Sequence, residues 1–183
     1  MKRVAVFGNV GGGKSTLARR LTGLTGLPLY NIDLMQFRTG GEKIPHDEFL
    51  QAHAELIRRD AWIIDGFGDE ATAWDRFSAA DTLIHIDLPL RVHYCWVTKR
   101  LIKGFFVTPK GWPDDSPLWS STLFCYRTIP LCHRDLTPKY RELVAQAAAS
   151  KRVHHLTSVA QIRTFVRIVK QEHGVHARCG DQP

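Results

Sequence analysis

The chain has 183 residues, a net charge of +7 and four cysteines, and no apolar run in it is long enough to span a membrane. Its length fits one domain that buries its core without disulfides or structural metal. With no C-x-x-C pair among Cys95, Cys125, Cys132 and Cys179, neither a zinc ribbon nor a redox motif is signalled and the thiols read as reduced in a cytoplasmic protein, while the positive balance implies an anionic partner, nucleotide or nucleic acid.

The first apolar run predicts a strand over Arg3–Phe7 and falls short of the roughly 7 residues a secretory h-region needs. It leads into Gly8–Ser15, GNVGGGKS, a full match to the phosphate-loop pattern G-x-x-x-x-G-K-[ST]. The chemistry asks for each residue type. Glycines at Gly8, Gly11, Gly12 and Gly13 let successive N–H groups turn inward around phosphate oxygens, where a Cβ would intrude. Lys14 supplies a point charge at the β- and γ-phosphates, and the Ser15 hydroxyl suits Mg²⁺. A helix predicted over Lys14–Leu24 aims its positive end at the ligand, with Thr16 in its first turn counted among the nucleotide-binding residues.

A strand near Pro28–Ile32 ends at Asp33. That carboxylate is placed to take a proton from an attacking hydroxyl, to bind the acceptor or to help hold Mg²⁺; capping the turn that begins at Leu34 is the structural alternative. A helix over His46–Arg59 precedes a strand over Trp62–Asp65, whose terminal Asp65 is read as the Mg²⁺ carboxylate, acting through the ion's water shell. An ordinary Asp-Gly turn at Asp65-Gly66 is its structural alternative. Arg38 and Arg76, shortly after the second and third strands, are candidates for fixing anionic groups of an acceptor; Arg76 lies on a helix over Ala71–Ala79. A strand over Thr82–Asp87 and a helix over Leu90–Lys103 follow.

Between Gly104 and Arg134 the rhythm breaks at Pro109, Gly111, Pro113, Pro117 and Pro130, which predicts a mobile lid. Residues 89 to 141 hold nine Lys or Arg against three Asp or Glu, so positive charge concentrates around it. Arg91, Lys99 and Arg100 precede the lid, with Arg91 and Arg100 expected near one helical face. Arg127 and Arg134 lie within it or at its end, and Lys139 and Arg141 follow it. Phosphoryl transfer proceeds by neutralising charge on the migrating group, so Arg100 is assigned to the nucleotide, and Lys14, Arg127 and Arg134 to catalysis beside Asp33. The aromatics Phe105, Phe106, Trp112, Trp119, Phe124 and Tyr126 stack on a base or pack the lid. A helix over Pro138–Ser150, a strand over Arg152–Leu156 and a helix over Val159–Glu172 complete a single domain at 1–173, and residues 174–183 read as a frayed tail. His154-His155 receives no role, and no metal beyond Mg²⁺ is expected. Strands separated by helices argue a parallel sheet covered on both faces, with ligands at the carboxyl ends of its strands.

Over roughly residues 1–170 these motifs make the chain resemble the adenylate kinase-like phosphate-loop kinases, and among them the small bacterial proteins labelled "DNA topology modulation" proteins. The shared features are GNVGGGKST, YNID, WIIDG, RFSAAD running into TLIHIDLP, and TKRL. The resemblance implies a three-layer α/β phosphate-loop NTPase fold, a five-stranded parallel sheet in the order 2-3-1-4-5, a lid at about 104–134, and ATP and Mg²⁺ as cofactors. It also implies Lys14 and Ser15 as phosphate and Mg²⁺ contacts, Asp33 and Asp65 as the acidic pair, and Arg76 as an acceptor-side arginine. The chain departs from adenylate kinases at Phe67-Gly68-Asp69-Glu70, where they carry an arginine soon after the Asp-Gly. The function expected is an ATP-dependent phosphotransferase acting on a nucleotide or other small molecule, with no membrane partner. A nucleic-acid-binding ATPase or polynucleotide kinase, or a nucleotide-binding regulator with little turnover, is the alternative. No groove-reading element is present, which ranks specific nucleic-acid binding below a small acceptor.

Overall fold

The computed structural model describes residues 1–38, 42–104 and 118–179, without the side chains of 118–121 and 174–179. Strands and helices alternate: β1 (Arg3–Gly8), α1 (Lys14–Thr25), β2 (Leu29–Asn31), α2 (Ile32–Met35), α3 (His46–Ile57), β3 (Trp62–Asp65), α4 (Glu70–Ala79), β4 (Thr82–Ile86), α5 (Leu90–Gly104), α6 (Leu118–Asp135), α7 (Thr137–Ala147), β5 (Arg152–Leu156) and α8 (Val159–Cys179). The five strands form one parallel sheet in the order β2-β3-β1-β4-β5.

β3 and β4 are buried along their whole length, as strands covered on both faces must be. Successive residues of β1 face opposite layers. Ala5 and Phe7 join Trp62, Phe77, Tyr140 and Val144 under α3, α4 and α7; Val4 and Val6 join Leu17, Leu21, Phe165 and Val169 under α1 and α8. A smaller cluster of Val97, Cys125 and Ile129, flanked by Val10, Tyr94 and Tyr126, packs α5 and α6 beside the loop that follows β1. Among the described residues, no helix is long and apolar enough to cross a membrane.

Three expectations change. β2 ends at Asn31 and gives way at once to the short α2, so Asp33 sits in a helical first turn rather than at a strand tip. The second half of the expected lid is the regular helix α6, continuous through Pro130; its buried stripe of Thr122, Cys125 and Ile129 contains only one strongly apolar residue, and so leaves little hydrophobic period to read. The remainder of that lid, at 105–117, including Phe105, Phe106 and Trp112, lies outside the described residues. Helix α8 continues to Cys179, past the Glu172 at which its apolar pattern fades; 180–183 lie outside the described residues.

Candidate active site

The turn from β1 into α1 leaves backbone donors at the helix start without helical partners. Leu17 N–H makes the first bond of the helix, to the Gly13 carbonyl, which leaves the N–H groups of Lys14, Ser15 and Thr16 without intrahelical acceptors. No side chain caps this helix and no acidic residue stands in its first turn. An anion arriving there meets an uncompensated positive helix end. Lys14 Nζ donates to the Asn9 carbonyl at 2.9 Å, so its ammonium is parked on the loop itself.

The glycines are required where the loop packs on its neighbours. Gly8 has φ 138°, and a Cβ there would stand 2.2 Å from the Ile86 carbonyl oxygen of the adjacent strand. At Gly13, with φ 80°, a Cβ would meet the Trp96 ring at 2.7 Å. Helix α5 thus forms the wall of the loop. His93, buried on that helix, places Nδ1 2.7 Å from the Val10 carbonyl oxygen and Nε2 3.2 Å from that of Leu88.

The acidic residues meet the β3–α4 connection. Asp65, buried at the end of β3, has an Oδ1 with no hydrogen-bond partner. A buried, unpaired carboxylate oxygen at a strand's carboxyl end fits a hydrated cation, since such an atom is costly unless something satisfies it. Asn31, not Asp33, caps α2, accepting from the N–H groups of Asp33 and Leu34. Asp33 is exposed and turns its Oδ1 to the Phe67 and Gly68 N–H groups, at 3.0 and 3.2 Å. Arg76 grips the same loop from beneath: its Nη2 donates to the Gly66 and Phe67 carbonyls, at 3.1 and 3.2 Å. At 1% exposure it underlies the loop rather than opening to solvent. Burial pushes its guanidinium down to about 10, against the upward pull of Asp33, Tyr140, Asp65 and Asp69, so it stays charged at neutral pH. Its Nη1 has no partner.

The remaining cations are distributed otherwise than their sequence positions suggest. Arg38 pairs with Glu48 on α3 at 2.8 Å. Arg91 and Arg100 are two and a half turns apart at 3.6 residues per turn, which corrects the expected shared face: Arg91 is exposed, whereas Arg100 Nη2 donates to Cys125 Sγ at 3.1 Å. Arg127 and Arg134, both exposed on α6, stand about two turns apart on one side of the helix, and Arg134 pairs with Asp135. Asn9 Nδ2 donates to the Ile129 carbonyl, which fixes α6 beside the loop. Of the aromatics expected to stack, Tyr126 packs face to face on Tyr94 with ring centroids 5.5 Å apart and shares a hydrogen bond with Thr98, and Phe124 is exposed.

One cluster was missed by the sequence reading. Asp87, just past β4, accepts from Arg141 Nε at 2.7 Å and Nη2 at 3.1 Å, and pairs with His155 Nε2 at 2.9 Å. Burial raises the Asp87 carboxyl, but the Arg141 and His155 bonds outweigh it and hold it below its ordinary range. His85 brings a ligand-type nitrogen within 4.8 Å of the Asp87 and His155 atoms. However, the His85 and His155 rings lie parallel, 4.9 Å apart, so their in-plane lone pairs do not converge, and Arg141 occupies the carboxylate. The arrangement is an ion-pair clamp between β4, β5 and α7. Its partners lie far apart in sequence, and no local spacing announces them. A groove of about 720 Å³ between β5 and α8, lined by Met1, His154, Phe165 and their neighbours, contains none of the residues gathered at the loop.

No protein-family model matches this chain, and no curated protein matches it in sequence. Solved structures do. A shikimate kinase from Acinetobacter baumannii, in complex with shikimate, is 17% identical and superposes with a TM-score of 0.59 over 93% of this chain and 92% of its own. A sugar kinase from a Janibacter species is 16% identical (TM-score 0.48; 94% of this chain and 91% of its own), and a gluconokinase from Sinorhizobium meliloti is 14% identical (TM-score 0.48; 97% and 94%). The sheet order and the shikimate kinase superposition identify a phosphate-loop kinase fold. The "DNA topology modulation" group is not among these three.

Proposed function

We propose that the protein is an ATP-dependent phosphotransferase that moves the γ-phosphoryl group of ATP to a hydroxyl of a small-molecule acceptor. The observation that carries this reading is the pairing of an uncapped glycine-rich helix start at Gly8–Thr16 with the buried, unpaired Asp65 Oδ1 on the neighbouring strand. The first suits the phosphates of a nucleotide, and the second suits the magnesium that accompanies them. Ser15 and Asp65 would hold Mg²⁺, which when bound neutralises charge on the β- and γ-phosphates. Lys14 leaves the Asn9 carbonyl for a phosphate oxygen, and Arg127 and Arg134 on α6 add charge at the migrating group, with Arg100 toward the nucleotide. Asp33 faces the acceptor and takes the hydroxyl proton as the new P–O bond forms and the bond to the ADP leaving oxygen breaks.

Arg76 is reassigned in this reading from direct acceptor contact to positioning. It holds the carbonyls of the loop whose N–H groups hold Asp33. The shikimate-bound state of a structure with the same fold supports a small polar acceptor, and the resemblance to adenylate kinase-like proteins supports a nucleotide; acceptor screening separates them. Nucleic-acid binding is less well supported, because Arg38, Lys139 and Arg141 each pair with a carboxylate and present less free charge to a phosphate backbone. The test is a coupled ADP-release assay with MgATP across hydroxy acids, sugars, nucleosides and nucleoside monophosphates. At least one small acceptor should raise turnover well above the water background; turnover that requires DNA and ignores every small acceptor would reverse the ranking.

A further inference from the structure

We propose that His93 is a positioning residue of the phosphate loop that takes up a proton when nucleotide binds, so that loop geometry and imidazole charge change together. The proposal rests on the reading of Gly8–Thr16 as the nucleotide site. Its basis is a mismatch in hydrogen bonding. A neutral imidazole has one N–H and one lone pair, yet both ring nitrogens of His93 face carbonyl oxygens: Val10 in the loop at 2.7 Å and Leu88 after β4 at 3.2 Å. With the single proton on Nδ1, donating to Val10 across the shorter contact, the Nε2 lone pair faces the Leu88 oxygen. The imidazolium alone satisfies both acceptors, through charge-assisted bonds.

The groups around the ring oppose the cation. Burial opposes the cation, as do Lys14 at the start of α1 and His133 on α6, and together they outweigh the two carbonyls and hold the ring below its ordinary value. Phosphate reverses the balance. Its negative charge arrives at the other face of the same loop, and Lys14 turns from the Asn9 carbonyl to a phosphate oxygen, where its field is neutralised. The ring is in position to respond, since a Cβ built on Gly12 would lie 3.0 Å from His93 Cε1. A raised pKa in the bound state means affinity is greatest at low pH and weakens as pH rises through the bound-state value, by at most about tenfold per pH unit for one proton.

Calorimetry of MgADP binding to the full chain, at one pH in PIPES and in Tris, counts the linked protons. A net uptake that disappears in His93→Gln, with MgADP still bound, is the expected result. In wild-type protein carrying ¹³C at histidine Cε1, one of the nine histidine resonances should move from its neutral to its cationic position on saturation; this readout does not depend on the variant folding. Binding with no buffer dependence and no such resonance shift would overturn the role of His93 while leaving the nucleotide site intact. Absence of MgADP binding altogether would overturn the nucleotide site, and this proposal with it.

Discussion

Asn9 Nδ2 donates to the Ile129 carbonyl oxygen at 2.9 Å, across 120 residues of sequence, and so joins the second residue of the phosphate loop to the middle of α6. The same side chain turns its Oδ1 to the Val10 N–H at 2.6 Å. The helix carrying Arg127 and Arg134 is therefore held to the loop through one buried amide. Asn9→Ala should destabilise the fold by about 1–3 kcal/mol, the range for a buried polar group left unpaired, and should lower kcat more than it weakens ATP binding, because the arginines lose their placement. Urea unfolding and steady-state kinetics measure both; unchanged kcat in a destabilised variant would confine Asn9 to stability.

Lys14→Ala removes the proposed phosphate contact and no core volume. MgATP affinity should fall tenfold or more, about 1.4 kcal/mol, with the unfolding midpoint nearly unchanged. Calorimetric titration checks the first and thermal melting the second. Full affinity in the folded variant would place the nucleotide elsewhere.

The two carboxylates should separate by their dependences. Asp65→Asn should raise the Mg²⁺ concentration needed for half-maximal activity. Asp33→Asn should cut kcat by about 10²–10⁴, the usual range for a general base, while ATP affinity holds. Arg76→Lys, which keeps charge but loses the planar fork, should move kcat in the same direction as Asp33→Asn by loosening the loop at Gly66–Gly68. Wild-type kcat in Asp33→Asn with the cognate acceptor would remove its assigned role.

Acid sensitivity should trace to a buried imidazole. Burial drives His85 from 6.5 to about 4, with His155 and Arg141 pushing the same way against Asp87. The unfolded chain, with its histidine near 6.5, binds the proton first, so stability falls as pH drops from about 6.5 toward 4. Because His85 Nδ1 has no hydrogen-bond partner and the ring stacks on Phe7 at 5.1 Å, His85→Phe sacrifices no bond at that atom. It should narrow the difference in urea midpoint between pH 7 and pH 5. An unaltered difference would assign the slope to other groups, such as His53, which burial also lowers to about 4.

Much of this architecture was legible in the sequence because its signals are local. The loop motif, the apolar strand runs and the helical stripe at Leu17 and Leu21 each declare themselves within about ten residues, and the sheet order implied by the family resemblance is the one found. What escaped depends on distance or direction. The Asp87 clamp joins residues 54 and 68 positions apart. Arg76 was visible as a cation, but its burial beneath Gly66 depends on how α4 lies against β3. His93 reads as one more polar residue on α5 until its ring is seen between two carbonyls. Helix α6 hid behind Pro130 and a stripe whose inner face carries Thr122 and Cys125.

The strand order also governs how the protein is made. β1 leaves the ribosome before the other four strands, yet its neighbours are β3 and β4, with Val6 beside Asp65 and Gly8 beside Ile86. Until both later strands have been synthesised, an apolar segment waits unpaired, and the backbone contact that seats Gly8 has no partner. Parallel pairings over such separations form slowly, which leaves nascent chains exposed to aggregation. The chain should therefore lean on holdase-type chaperones during synthesis, and a nascent fragment that stops short of β4 should bind no nucleotide.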